Sequence, residues 1–167
     1  MHQQGKTSEE ATLGAALAAK AAARDADRER RAETAAAWLE SFGEAWQWRD
    51  GEAAGELFTD DATYWWGPFE RVSGREAIVE RWGALTADSG DVHFDFGVLG
   101  IEGPYAIAHW HAVVELDDRG GSDELDGMMC ISIDQDGRCS EFREWWHRRR
   151  LGPDHVAPTP VALGGPR

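Results

Sequence analysis

Between Val92 and His147 the chain alternates apolar and polar residues with a period of two, a pattern that fits four β-strands with one face packed against a core. Val92, Phe94, Phe96 and Val98 share one face, and His93 and Asp95 take the other. Turn chemistry sets the pairing. A two-residue hairpin loop at Glu102-Gly103 places Val98 opposite Ile107, Phe96 opposite His109, Phe94 opposite His111 and Val92 opposite Val113. The Asp136-Gly137 pair suits a type I′ turn and sets Ile133 against Ser140, Ile131 against Phe142 and Met129 against Glu144. The covered face then holds Phe94, Phe96, Ile107, His109, His111, Val113, Met129, Ile131, Phe142, Glu144 and Trp146. A slip of one residue reverses the assignment for a strand. The strand from Tyr105 is the most open to it, because Ala106, Ala108, Trp110, Ala112 and Val114 make its other face apolar too.

Helical patterns precede this meander. Thr7-Ser8-Glu9-Glu10 has the spacing of a capping box, and from there to about Glu33 the chain is rich in Ala and charge with few large apolar residues. We read 1–33 as a helical extension. From Thr34 onward Trp38, Leu39, Phe42, Ala45 and Trp46 fall at helical spacing, in a helix ending near Arg49. Asp50 is placed to cap a short second helix through Leu57 and Phe58, Ala62 to Trp66 reads as a short strand, and Gly67-Pro68 breaks it. Ser73-Gly74-Arg75-Glu76 has capping-box spacing for a third helix carrying Ile78 and Trp82. The folded domain spans 34–150. The segment 151–167, with Pro153, Pro158, Pro160 and Pro166, reads as a disordered tail.

The chain has 167 residues, a length for one domain with a real core and a pocket. A formal charge of −14 and a pI near 4.7 argue against nucleic acid and anionic membrane as partners, since both call for a basic face. Arg148-Arg149-Arg150 reads as a solvated strand end. There is no apolar run near the ~20 residues of a membrane span and no signal-peptide pattern, so a cytoplasmic protein is expected. Cys130 and Cys139 lack Cys-x-x-Cys spacing and read as free thiols.

The order of elements, helices followed by a strand meander, describes an α+β fold with the helices on one face of a curved antiparallel sheet. Several words then occur in sequence: Trp46-Gln47-Trp48-Arg49-Asp50-Gly51, Leu57-Phe58-Thr59-Asp60-Asp61-Ala62, Pro68-Phe69, Gly74-Arg75-Glu76-Ala77-Ile78, and Asp136-Gly137-Arg138 leading into Glu144-Trp145-Trp146. From Thr34 to Arg150 the chain resembles the SnoaL-like branch of the nuclear-transport-factor-2-like superfamily. That resemblance implies a conical α+β barrel around a deep apolar pocket, and commonly a homodimer through the outer face of the sheet. It does not supply a reaction. An ungapped match puts Phe42 where ketosteroid isomerase has its oxyanion-binding Tyr, Trp66 near its general-base Asp and Met129 at its proton-donating Asp. That enzyme's catalytic residues are therefore not matched, nor is the Asp-Arg-Asp arrangement of limonene epoxide hydrolases.

The ionisable exceptions on the inward face carry the functional reading. His109 and His111, at i and i+2 of a strand, point the same way and can address one ligand. In the expected register His111, Met129 and Glu144 form a row, with Glu144 about 10 Å from His111 at ~4.8 Å per strand. Burial raises a carboxyl pKa and lowers that of an imidazole, towards the range useful for proton transfer. Glu144 with His111 or His109 is thus the candidate acid–base site, for a dehydratase, isomerase, cyclase or hydrolase. The alternatives are a Glu144 held by hydrogen bonds from Tyr64, Trp66 or a helix residue without chemistry, and a non-catalytic ligand-binding or assembly protein. A His-x-His strand with a carboxylate also has zinc-ligand spacing, but the row is too wide, so neither metal nor cofactor is expected. Candidate pocket residues are Trp46, Tyr64, Trp66, Trp82, Phe94, Phe96, Met129, Ile131, Phe142 and Trp146, flat walls suited to an apolar or aromatic small molecule.

Overall fold

A computed structural model describes residues 3–87, 89–116 and 120–152. The helices are α1 (Gln3–Trp48), α2 (Gly51–Glu56) and α3 (Arg75–Thr86); the strands are β1 (Phe58–Trp65), β2 (Arg71–Ser73), β3 (Ser89–Glu102), β4 (Tyr105–Leu116), β5 (Ser122–Ile133) and β6 (Cys139–Leu151). The strands form one curved, unclosed sheet in the order β2-β1-β6-β5-β4-β3. All neighbours are antiparallel except β1 and β6, which run parallel, so the sheet is mixed. The helices cover its inner face, in the expected α+β arrangement. No described helix is long and apolar enough to cross a membrane.

α1 is helical from Gln3, so Thr7 lies within it and does not cap it. Its packing face is Ala35, Trp38, Leu39, Phe42 and Ala45, all buried, at the spacing of one helical stripe. The side chains of 11–26 are exposed, as expected of a segment with propensity but little to bury. The helix ends where Arg49 turns left-handed (φ 54°). The Arg49 N–H then donates to the Trp46 carbonyl and the Asp50 N–H to that of Ala45, the two bonds of a Schellman motif. Asp50 caps α2 as read, its side chain accepting from the Ala53 N–H at 2.9 Å. α2 stops at Glu56, two residues short of Phe58, and β1 begins at Phe58, four residues before the expected start at Ala62. The capping box at Ser73 does not form: Ser73 pairs with Thr63 in the sheet, and Gly74 (φ 90°) precedes α3 with no side-chain cap.

The register of β5 and β6 is the expected one at Ile131 with Phe142 and at Met129 with Glu144. It shifts near the turn, where Ile133 faces Cys139 in place of Ser140. β3 and β4 pair differently. Glu102 faces Tyr105, so the loop is Gly103-Pro104 and not Glu102-Gly103. Pro104 has no N–H to give the ladder, and Gly103 (φ 54°) occupies the first central position, where a type II′ turn takes glycine. That change alone keeps every side chain on its face. Leu99, however, is bulged out between the Val98–Ala108 and Gly100–Ile107 pairs, and this single extra residue inverts β4 against β3. Val92 faces Val114, Phe94 faces Ala112 and Phe96 faces Trp110. The inward residues of β4 are therefore Ala106, Ala108, Trp110, Ala112 and Val114, all buried, and His109 and His111 point to the outer face.

Cys130 and Cys139 are free thiols, Cys139 fully buried. Leu151 closes β6 and is buried, while the rest of the expected tail, from Pro153, lies outside the described residues.

Because 11–26 bury nothing, removal of residues 1–26 is expected to move the melting temperature by less than the roughly 2–4 °C that corresponds to 1 kcal/mol in a chain of this size. Calorimetry of the truncated protein checks this, and a drop of ten degrees or loss of folding would refute it.

Candidate functional site

β6 brings an inward side chain to the same face at every second residue, and from Phe142 onward these are Glu144, Trp146, Arg148 and Arg150. They run along a cavity of about 320 Å³ between α1, α3 and the inner sheet face. Phe42, Trp46, Trp82, Trp110 and Trp146 wall it, Tyr64 and Glu144 contribute polar atoms, and Ser89, Asp123, Arg148 and Arg150 also line it. The rings brace one another edge to face, Phe42 on Trp82 at 5.1 Å and Trp46 on Trp110 at 6.0 Å. Gly127 makes room for this wall. It faces Trp146, and a Cβ there would lie 2.7 Å from the Trp146 Cβ and 2.5 Å from the Trp145 carbonyl oxygen.

Glu144 is 7 % exposed, and Tyr64 Oη donates to its Oε1 at 2.6 Å. Burial pushes the Glu144 carboxyl up, to about 7; hydrogen bonds from Tyr64 and Trp146 and the positive charge of Arg81 pull the other way without cancelling it. The Tyr64 phenol is driven well above its ordinary range, first by burial and then by the Glu144 charge, so it stays a donor. Arg81 is held nearby by its guanidinium over the Trp66 ring, 4.2 Å from the centroid. An ionised carboxylate has about four acceptor positions. Tyr64 and Trp146 use two, leaving capacity for a water or a substrate.

Of the residues singled out from sequence, Glu144, Trp46, Tyr64, Trp82 and Trp146 meet on this cavity. Phe94, Phe96, Met129, Ile131, Phe142 and Trp66 pack in or against the core around it. His109 and His111 are not brought to it. On the outer face His109 Nε2 lies 3.0 Å from Asp126 and His111 Nε2 3.0 Å from Glu124, which also pairs with Arg149. Sequence reasoning missed Trp110, Asp123, Arg148 and Arg150. The two arginines carried a signal, because alternation from Glu144 puts both on its face; Trp110 depended on the unforeseen bulge at Leu99.

Residues 17–142 match the family described as the SnoaL-like domain. The chain belongs to that family. No curated protein matches the sequence. Several solved structures share the fold at low identity. A putative isomerase from Bacillus subtilis is 19 % identical with a TM-score of 0.62, over 70 % of this chain and 88 % of its own. SalBIII, described as an epoxide hydrolase/cyclase-like enzyme with a role in pyran ring formation in polyether salinomycin, is 20 % identical with a TM-score of 0.59, over 71 % and 92 %. An M. tuberculosis LEH-like epoxide hydrolase is 17 % identical with a TM-score of 0.53, over 72 % and 85 %.

The raised Glu144 pKa has a consequence for this SnoaL-like domain's stability. Below about pH 4.5 the group is protonated whether the chain is folded or not; between there and about 7 the unfolded chain gives up the proton and the folded one keeps it. Stability should therefore fall as pH rises through that window and level off above it. Glu144→Gln should flatten this part of the profile, with denaturant melts across the window as the measurement. An unchanged slope would mean that Glu144 is not the buried titrating group.

Proposed function

We propose that this protein is a cofactor-independent acid–base enzyme acting on an apolar or aromatic small molecule, with Glu144 as the proton-transfer group. The observation that carries this is a buried carboxyl with a pKa of about 7 on the wall of an aromatic cavity. At neutral pH such a group is divided between its two forms, the condition in which a general acid or base works best. As carboxylate it takes a proton from a substrate C–H or O–H; as acid it returns that proton to the leaving oxygen or to the adjacent carbon. Tyr64 is the positioning residue. Its O–H fixes the carboxyl orientation and lowers the Glu144 pKa from where burial alone would leave it. The isomerase, hydrolase and cyclase descriptions of the relatives are consistent with a dehydration, isomerisation, cyclisation or water-addition step. His109 and His111 have no place in this mechanism, being on the outer face.

A ligand-binding protein without catalysis is the second reading, favoured by the hydrogen bonds that already engage Glu144. Turnover separates the two. Glu144→Gln preserves shape and bonding capacity, and should lower kcat by about 10²-fold or more while leaving ligand affinity in place. Tyr64→Phe removes the bond that favours the carboxylate, so the pH-rate limb assigned to Glu144 should move to higher pH. Full turnover in the Gln variant would sink the mechanism.

We also propose a homodimer through the outer sheet face, where Trp145 (48 % exposed), Ile107 (37 %) and Met128 (36 %) are open. Trp110, which sequence alone placed on this face, is inside and takes no part. Trp145→Glu should shift the protein towards monomer in sedimentation velocity, and a wild type already monomeric at high concentration would exclude the dimer.

A further inference from the structure

Arg148 and Arg150 lie in a chain whose net charge is −14, yet both line the cavity that holds Glu144. Among the described residues their local partner is Asp123 on β5, whose backbone pairs with Arg150. Arg148 Nη1 stands 3.6 Å from Asp123 Oδ2, and Arg150 Nε stands 2.7 Å from Oδ1. The short approach is misaligned, because Asp123 Oδ1 is buried without a hydrogen bond. One carboxylate thus faces two guanidiniums and forms a bidentate fork with neither. The arginine side chains are 60 % and 49 % exposed, against 9 % for Asp123. This is a different state from that of Arg149, one residue away on the outer face, where Glu124 meets both Nε and Nη2.

We infer that Arg148 and Arg150 form an anion subsite at one end of the cavity, so that its ligand is an elongated aromatic carboxylic acid. This rests on the reading of the cavity as a small-molecule site. Strand geometry supplies a ruler: four residues of β6 separate Glu144 from Arg148, about 13 Å at ~3.3 Å per residue. Between them Trp146 lines the same path and Trp110 flanks it from β4. A ligand reaching from the carboxyl to the nearer guanidinium has room for two rings along these indoles. A planar carboxylate matches the guanidinium fork, and among the described residues two arginines face one aspartate at this end. Asp123 draws the two half-exposed guanidiniums to one spot, and its imperfect geometry keeps their N–H groups available to an anion.

Biphenyl-4-carboxylate and its neutral counterpart biphenyl-4-carboxamide test the inference, with binding to the full-length protein followed by calorimetry. The carboxylate should bind about tenfold or more tighter, on the scale of a charge-assisted hydrogen bond, and high salt should erode that preference while leaving the amide unaffected. The triple variant Asp123→Asn, Arg148→Gln, Arg150→Gln leaves no unpaired charge and should bind both probes alike. If the wild type binds acid and amide equally at low salt, the anion subsite is overturned and the pocket stands. If neither probe binds, the cavity is not an aromatic-ligand site and the inference goes with it. The salt titration needs only wild-type protein, so the outcome does not depend on the variant folding.

Discussion

Phe142 is the contact on which the sheet and the site both depend. It is fully buried on β6 and meets Trp38 and Phe42 from α1, Phe58 and Tyr64 from β1, with ring centroids 4.8–6.1 Å away. A ring held from two elements cannot rotate to the outer face without emptying the centre of the core. Its inward orientation therefore fixes the parity of β6, and a strand has only two parities. Glu144, Trp146, Arg148 and Arg150 inherit the orientation that Phe142 establishes. The Trp38 Nε1 bond to the Leu57 carbonyl, 2.9 Å, ties the same cluster to the start of β1, the strand that seats Tyr64 beside Phe142 and within hydrogen-bond reach of Glu144.

The placing of Glu144 sets two energies against each other. A carboxyl among Tyr64, Phe142 and Trp146 loses its water, and this disfavours the charge by more than one or two donors recover. Had the donors won, the group would be a carboxylate at every physiological pH, a fixed structural acceptor. With burial winning narrowly, its proton is exchangeable near neutrality. Tyr64 contributes twice, as the donor that moderates the shift and as a phenol whose own burial keeps it protonated. Arg81 is poised in the same way: its guanidinium is spread over Trp66, so it biases Glu144 through its charge without closing an ion pair upon it.

How much of this was legible in the sequence follows from the mechanics of each strand. The type I′ turn expected at Asp136-Gly137 does not form: the loop is residues 135–137, closed by the Asp134–Arg138 pair, with Gly137 alone left-handed. That moves the register by one residue, and the extra Ser140 on β6 moves it back, so Phe142 and Glu144 still face inward as their alternation suggests. The same reasoning failed one hairpin earlier. β4 is apolar on both faces, so its pattern does not choose an orientation, and the decision falls to the bulge at Leu99, for which the flanking Gly97 and Gly100 were the available signal. His109 and His111 followed the strand to the outer face, where Asp126 and Glu124 give them partners that a core would not have. Arg148 and Arg150 were hidden in another way. A run of three arginines reads as solvated until alternation separates its middle member, which pairs with Glu124, from its outer two, which turn to the cavity.

The inversion of β4 also decides which of its residues line the cavity, Trp110 and Val114. Without the bulge, two imidazoles would stand where Ala108 and Trp110 now lie, both buried. Small residues on either side of Trp110 leave Phe94 and Trp46 free to lean on its indole, at 6.1 and 6.0 Å. Trp110 bears the cost: its Nε1 is buried with no hydrogen-bond partner among the described residues. An orphaned indole N–H beside a cavity is a local penalty of about 1–3 kcal/mol on the usual scale for an unmet donor. Trp110 thus keeps an unmet donor at the edge of an unfilled space, which a core built only for close packing would avoid.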